Sequence, residues 1–196
     1  MSKYTEEQDD IQFSEPVLAQ KGVRLGINFV EKTEWEAKTG GVKDGRKFDA
    51  CKITLQISDD TVKTEHADSK PRMTIEDQFN IERFPYEDKK SGEVKWLGRT
   101  KLYQLEEAFG FDPVFKVDGK VVDPFITKTG TKRAPKIEGV KRVMNEDFFN
   151  AYFDENGEPK KDNWIGKTVY ADVNVQKSDQ FGDKNVIDRY VKAPNQ

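Results

Sequence analysis

The side chains in this sequence best equipped for chemistry are carboxylates, and three adjacent pairs stand out: Glu76/Asp77, Glu106/Glu107 and Glu146/Asp147. Two carboxylates that converge would serve acid–base work or hold a divalent cation. Glu76 and Asp77 fall in a strand-like run, where neighbours point to opposite faces and cannot share a site. Glu106 and Glu107 lie on an amphipathic helix whose polar face needs charge anyway. The run 154–158 has too few carboxylates for an EF-hand calcium loop. Gly166-Lys167-Thr168 matches the end of a P-loop, but Lys161 stands where the upstream glycine belongs and a strand follows. A glycine that lets a strand begin with a kink is the better reading. The single histidine, His66, completes neither a metal site nor a Ser-His-Asp triad. The single cysteine, Cys51, sits on the apolar parity of a strand and reads as a small buried hydrophobe. Nothing here assembles a catalytic centre, so the expectation is a non-enzyme without metal or other cofactor.

Cations carry the stronger signal. Lys38, Lys43, Arg46 and Lys47 share the Gly-rich stretch 38–47, and Lys52 continues beyond it. Lys128, Lys132, Arg133, Lys136, Lys141 and Arg142 form one run opposed only by Glu138. Lys177, Lys184, Arg189 and Lys192 flank the last apolar runs. Interleaved with them are Trp35, Phe48, Phe84, Tyr86, Trp164, Tyr170, Phe181 and Tyr190. Clustered cations neutralise phosphates, and an aromatic face under a base is worth about 1–3 kcal/mol. The nucleic-acid-binding candidates are therefore Lys38, Lys43, Arg46, Lys47, Phe48, Lys52, Lys132, Arg133, Lys136, Tyr170, Lys177, Phe181 and Lys184. About half of the aromatics are expected to pack inside instead, as they commonly do in a small β-domain.

These side chains need a frame. Val23, Leu25, Ile27 and Phe29 alternate with polar residues and predict a first strand, bent at its glycines and running toward Trp35. A second strand puts Cys51, Ile53, Leu55 and Ile57 inward and Phe48, Lys52, Thr54 and Gln56 outward. A third carries Met73, Ile75, Phe79 and Ile81 on one face, with Asp77 as a break that suggests a bulge or an edge. Residues 86–96 read as a charged turn. Thr100–Phe109 has helical spacing, Thr100 as N-cap and Gly110 as stop. Residues 111–161 are irregular, with a hairpin about Asp118-Gly119 and a helical segment over Asn145–Phe153. The last hairpin pairs 162–175 with 184–191. It sets Ile165, Val169, Ala171, Val173 and Val175 inward and Trp164, Thr168, Tyr170, Asp172 and Asn174 outward. The fold class is mainly β. Three strands, a helix and two strands are the order of a five-stranded OB-fold-like Greek-key barrel, with a long irregular insertion before strand four.

Length and composition agree with one modest domain. The chain has 196 residues, 35% hydrophobic and 35% charged, with 13 Phe and a net charge of −3. Residues 1–20 read as a flexible acidic tail and 21–196 as a single domain inserted at about 111–161. One cysteine excludes an internal disulfide and fits a reducing compartment. No signal-peptide core or membrane-length apolar run is present, so a soluble, cytoplasmic protein is expected.

The long first strand with its basic glycine loop, the helix Leu102–Gly110 ending Phe-Gly, and Trp164-Ile165-Gly166-Lys167 with Val169–Val173 and Asn185-Val186-Ile187 resemble one known family. In the order of its elements over Val23–Val191, the chain looks like the OB-fold single-stranded DNA-binding proteins of phage replication modules. That resemblance implies sequence-tolerant binding of single-stranded DNA, with RNA as a further candidate. It also implies work in replication, recombination or repair for a phage or mobile element, in the host cytoplasm, alongside replication proteins. Such proteins often end in an acidic recruiting tail. This chain ends Val191-Lys192-Ala193-Pro194-Asn195-Gln196, so any recruiting arm would be N-terminal. Oligomeric state is open. The rival reading is a structural or adaptor protein whose barrel holds another protein, favoured by the net acidity and the insertion.

Overall fold

The computed structural model describes residues 14–36, 47–87, 90–92, 94–180 and 182–193, with only the backbone of 84–87 and 94–97. In chain order the first half contains β1 (Ser14–Glu15), β2 (Gln20–Glu36), β3 (Lys47–Ile57), β4 (Lys70–Pro71), β5 (Thr74–Asn80), β6 (Phe84–Glu87) and β7 (Val94–Leu97). Then come α1 (Thr100–Ala108), β8 (Val114–Val117), β9 (Lys120–Val122), β10 (Phe125–Ile126), β11 (Lys132–Arg133) and β12 (Lys141–Val143). The chain closes with α2 (Glu146–Tyr152), α3 (Lys161–Trp164), β13 (Thr168–Gln176) and β14 (Lys184–Val191). The architecture is mainly β.

The frame is one antiparallel sheet in the order β14-β13-β2-β3-β5. Val23, Leu25 and Ile27 of β2 face Ile53, Leu55 and Ile57 of β3, Ile75 and Phe79 of β5, and Val169, Ala171 and Val173 of β13 across a buried core. The inward row of β2 does not continue to Phe29. An irregularity between Ile27 and Phe29 shifts the register by one residue, so Val30 turns inward and Phe29 outward, 38% exposed. A one-residue slip exchanges the two faces of everything beyond it. The irregularity thus carries the apolar row on to Val30, beyond which the same parity holds Lys32, Glu34 and Glu36.

Asp77 lies on the edge strand β5 with its register to β3 uninterrupted, so the edge and not a bulge accounts for it. No ladder joins β5 to β14 among the described residues, and the sheet is not closed into a barrel. Side chains bridge the gap instead. The Tyr190 hydroxyl donates to Asp77 Oδ2 at 2.9 Å, and the Lys101 ammonium pairs with the other carboxylate oxygen. Gln104 of α1 accepts from the Tyr190 backbone N–H at 3.1 Å, so the helix lies across the opening. Thr100 is the first helical residue rather than the cap, which is Arg99, and Gly110 follows the helix at φ 86°.

A second core of aromatic rings continues the first. Trp164 is fully buried, 5.7 Å from Phe79 and 5.0 Å from Tyr152, and donates its indole N–H to the Tyr152 carbonyl at 2.8 Å. Here the sequence pattern fails: Trp164 was expected outward and Ile165 inward, yet Ile165 is 44% exposed. The cause is the short helix α3, which takes up Trp164 and delays the strand to Thr168. Gly166, at φ 81°, then returns the chain to β2, with its N–H on the Ile27 carbonyl at 2.8 Å. Asp172, expected on the outer row, is largely buried because it accepts from Arg189 and from the Gly22 N–H.

The N-terminal boundary also moves. Residues 14–20 belong to the domain: β1 pairs with β4, and Val17 is fully buried. Val17 exchanges two hydrogen bonds with the buried side chain of Asn185, at 2.9 and 2.8 Å. The expected tail at 1–20 is therefore docked from Ser14 onward, since an apolar residue that can reach the core is better buried than solvated. Residues 86–96, read as a turn, contribute to the hairpin β6–β7. The insertion is more regular than its sequence suggests. It holds a three-stranded sheet β12-β8-β9, the hairpin β10–β11, and α2, whose Asn145 cap accepts from the N–H groups of Asp147 and Phe148. Asp118 and Gly119, at φ 48° and 79°, make the left-handed turn between β8 and β9.

Candidate nucleic-acid interface

The cations predicted on the sheet divide by the company they keep. Lys38, Lys43, Arg46 and Phe181 lie outside the described residues. Lys47 is paired with Glu34 at 2.7 Å, and that hydrogen bond pushes its ammonium pKa up. Lys177 is paired with Asp183 at 3.3 Å, with the same upward shift from the same cause. Lys52 meets Glu76 at 3.0 Å and stands opposite Glu31 in the β2–β3 register. The outer face of β3 and β5 is thus a mixed-charge surface and not a positive stripe.

Phe48 is a correction. It was expected outward as a stacking platform, but it is fully buried with Trp35 at a ring distance of 6.1 Å. Both parities of the first half of β3 are covered, since Phe48, Ala50 and Cys51 are all buried. Tyr170 remains half-buried on β13, opposite Arg24 of β2. Lys184 is exposed at the start of β14 and makes no ion pair among the described residues. The side chains of Phe84 and Tyr86 lie outside the description.

The insertion behaves differently. Between Val114 and Val143 stand eight Lys and Arg against three Asp and Glu, a net +5 in a chain whose sum is −3. Three of these cations are engaged: Lys116 with Glu146, Lys132 with Asp112, and Arg142 with Glu106 and Glu107. The other five, Lys120, Lys128, Arg133, Lys136 and Lys141, are exposed and make no ion pair among the described residues. Of the cations singled out on this segment, Arg133 and Lys136 are therefore available, whereas Lys132 is held by its carboxylate.

Arg142 explains why the segment stands where it does. Its guanidinium reaches Glu106 at 2.9 Å and the Tyr103 carbonyl at 3.1 Å, and sits 4.5 Å from the Tyr103 ring centroid. Glu106 is fully buried; burial pushes its carboxyl pKa up, while the Asn145 N–H and Arg142 pull the other way. A carboxylate in that position holds the insertion to α1 and adds no free charge to the surface.

The residues that sequence reasoning missed lie on the same arm. Phe125 is 59% and Ile126 60% exposed, with Val121 at 67% and Ile137 at 50%. Across the β10–β11 ladder Phe125 faces Arg133 and Ile126 faces Lys132. An apolar pair mirrored by a basic pair across the polar turn Thr127-Lys128-Thr129-Gly130-Thr131 is a hairpin signal that was present in the sequence. It escaped notice because two-residue strands are too short for periodicity to register.

Reactive side chains are quiet. Cys51 is buried and its thiol pushed up to about 12 by burial. His66 is bonded to Glu15 at 2.8 Å. Among the described residues no group of three or more His, Cys, Asp or Glu is placed to hold a metal ion, and no helix is long and apolar enough to cross a membrane. No family model, no curated protein and no solved structure matches this chain.

Proposed function

We propose that this chain is a non-enzymatic, sequence-tolerant single-stranded DNA-binding protein on an OB-type frame, with its cationic insertion as the principal binding surface. The observation that carries this is the segment 114–143: five exposed cations with no ion pair among the described residues, and an exposed Phe125 that stands opposite Arg133 in the β10–β11 ladder. Cations release counterions from the phosphates and an aromatic face accepts any base, so affinity without sequence preference is the chemistry expected. The strand order β14-β13-β2-β3-β5, with α1 across the open edge, is compatible with a partly open five-stranded Greek-key barrel. A role on strands exposed during replication, recombination or repair of a phage or mobile element follows from the resemblance.

Fluorescence polarisation with a labelled oligo-dT at low salt tests the reading. Binding should weaken with salt on a log–log slope of about −3.5 if all five cations contact phosphates, at about 0.7 each for single strands. No binding at micromolar protein would sink it. The exposed Val121, Ile126 and Ile137 favour a second reading, an adaptor that docks another protein. A stable hetero-complex indifferent to competing single strands would select that alternative.

A further inference from the structure

The turn at the tip of the arm does not project alone. Thr129, Gly130 and Thr131 form one wall of a cleft of about 590 Å3, and its other wall is the side of α1 at Gln104 and Glu107 with the end of β14 from Arg189 to Lys192. The threonine hydroxyls are held together: Thr127 to Thr129 at 2.9 Å, Thr129 to Thr131 at 3.3 Å. The Thr131 N–H donates to Thr127 Oγ1 at 3.0 Å, and Gly130 at φ 77° closes the turn. The tip is therefore a rigid display of hydroxyls with the exposed, unpaired Lys128 among them.

The facing wall is complementary to the same ligand. Arg189 gives its Nε to Asp172 at 2.7 Å, and its side chain is still 58% exposed. Lys192 is exposed and makes no ion pair among the described residues. The one carboxylate in the lining, Glu107, is already taken by Arg142. Hydroxyls and cations without a free acid suit tetrahedral anionic oxygens. The volume is that of a small-ligand site, within the usual range of about 300–1,000 Å3, and not that of a duplex groove. Phe125 lies two strand residues before Thr127, about 7 Å away, within reach of the base on an adjoining nucleotide.

We propose that this cleft is a phosphodiester site, through which the backbone of a single strand passes between the arm and the frame while a neighbouring base stacks on Phe125. The proposal rests on the reading of the arm as a nucleic-acid surface and adds the path that the strand takes.

The test is a salt series of polarisation titrations on the Lys128→Ala/Lys192→Ala double variant of the full chain, beside wild type and Phe125→Ala, with oligo-dT and with an abasic oligomer of equal length. Both lysines are exposed and unpaired, so the double variant should fold, which circular dichroism checks. The expected result is a log–log salt slope flatter by about 1.4, two contacts at about 0.7 each, on both oligomers. Phe125→Ala should weaken oligo-dT only. Wild-type binding with a slope flatter by only about 0.7 in the double variant, the share of Lys128 on the arm alone, overturns the cleft and leaves the arm standing, and an unchanged slope overturns both. Equal competition by a duplex, phosphate for phosphate, overturns it too. Failure of wild type to bind either oligomer removes the reading of the arm and the cleft with it.

Discussion

Replacing Phe125 by Ala separates a stacking surface from ordinary solvent-exposed hydrophobicity. The side chain is 59% exposed on a two-residue strand, outside the buried core cluster, so its loss should change folding stability by no more than about 0.5 kcal/mol. If one base stacks on the ring, the loss in binding is about 1–3 kcal/mol, or roughly 5- to 150-fold in Kd. The salt slope should stay at its wild-type value, because no charge has been removed and Arg133 remains across the ladder. Polarisation titrations on oligo-dT at several salt concentrations read affinity and slope together, and urea unfolding checks stability. A Kd within twofold of wild type in a folded Phe125→Ala protein would refute the argument that exposure beside Arg133 marks a base platform. A changed slope with unchanged affinity at low salt would refute it as well, since that pattern belongs to a charge and not a ring.

Other parts of the molecule give independent expectations. Trp164→Ala removes a fully buried ring from the aromatic core and should cost about 3–5 kcal/mol in urea unfolding, with the arm untouched. Tyr190→Phe deletes the hydroxyl that donates to Asp77 across the open edge; a hydrogen bond to a charged group predicts a loss of about 1.5–3 kcal/mol. Burial first, and then Asp77, push the Tyr190 hydroxyl pKa well above its ordinary value, so the folded state favours the neutral phenol. Stability from this group is complete below the unfolded phenol pKa of about 10 and is lost as pH rises beyond it, which ultraviolet-monitored alkaline unfolding will show against Tyr190→Phe. Cys51, raised to about 12 by burial, should resist thiol reagents at pH 8 in the native protein and react at once in denaturant.

The frame was legible in the sequence wherever alternation was long and uninterrupted. β3, β5 and the apolar row of β13 follow directly from Cys51–Ile57, Ile75–Phe79 and Val169–Val173, because a period of two over several residues has few competing readings. The misses cluster where one residue breaks the period. The irregularity before Phe29 reversed that side chain's face, and the short helix α3 reversed Trp164 and Ile165; neither is encoded in hydrophobicity. Phe48 failed for a different reason: parity assigns a face, but not whether that face is covered. On the candidate interface, counting cations singled out a segment in which Arg133 and Lys136 are exposed without an ion pair among the described residues. Counting could not see that Lys52, Lys47 and Lys177 each have a carboxylate across the strand or the turn.

That difference in pairing bears on how an acidic protein can bind an anionic polymer. On the frame, Lys32, Lys47, Lys52, Lys177 and Arg189 are each matched by an acid, and such exposed pairs contribute little to stability. Their effect is to cancel field locally, so a phosphate approaching the outer face of β3 meets Lys52 already held by Glu76, with Glu31 opposite it in register. The arm lacks that matching, and its three engaged cations have carboxylate partners that lie outside its own strands, at Glu106, Glu107, Asp112 and Glu146. Those pairs tether the arm and leave the remaining five cations uncompensated. At about 0.1 M salt, charges more than about 10 Å apart are largely screened from one another. The acid excess elsewhere in the chain is then nearly invisible to a ligand in contact with Arg133 or Lys136. On the proposed reading, net charge says little about binding for a chain built this way; the partition of paired and unpaired cations between frame and arm is the quantity that the salt titrations read.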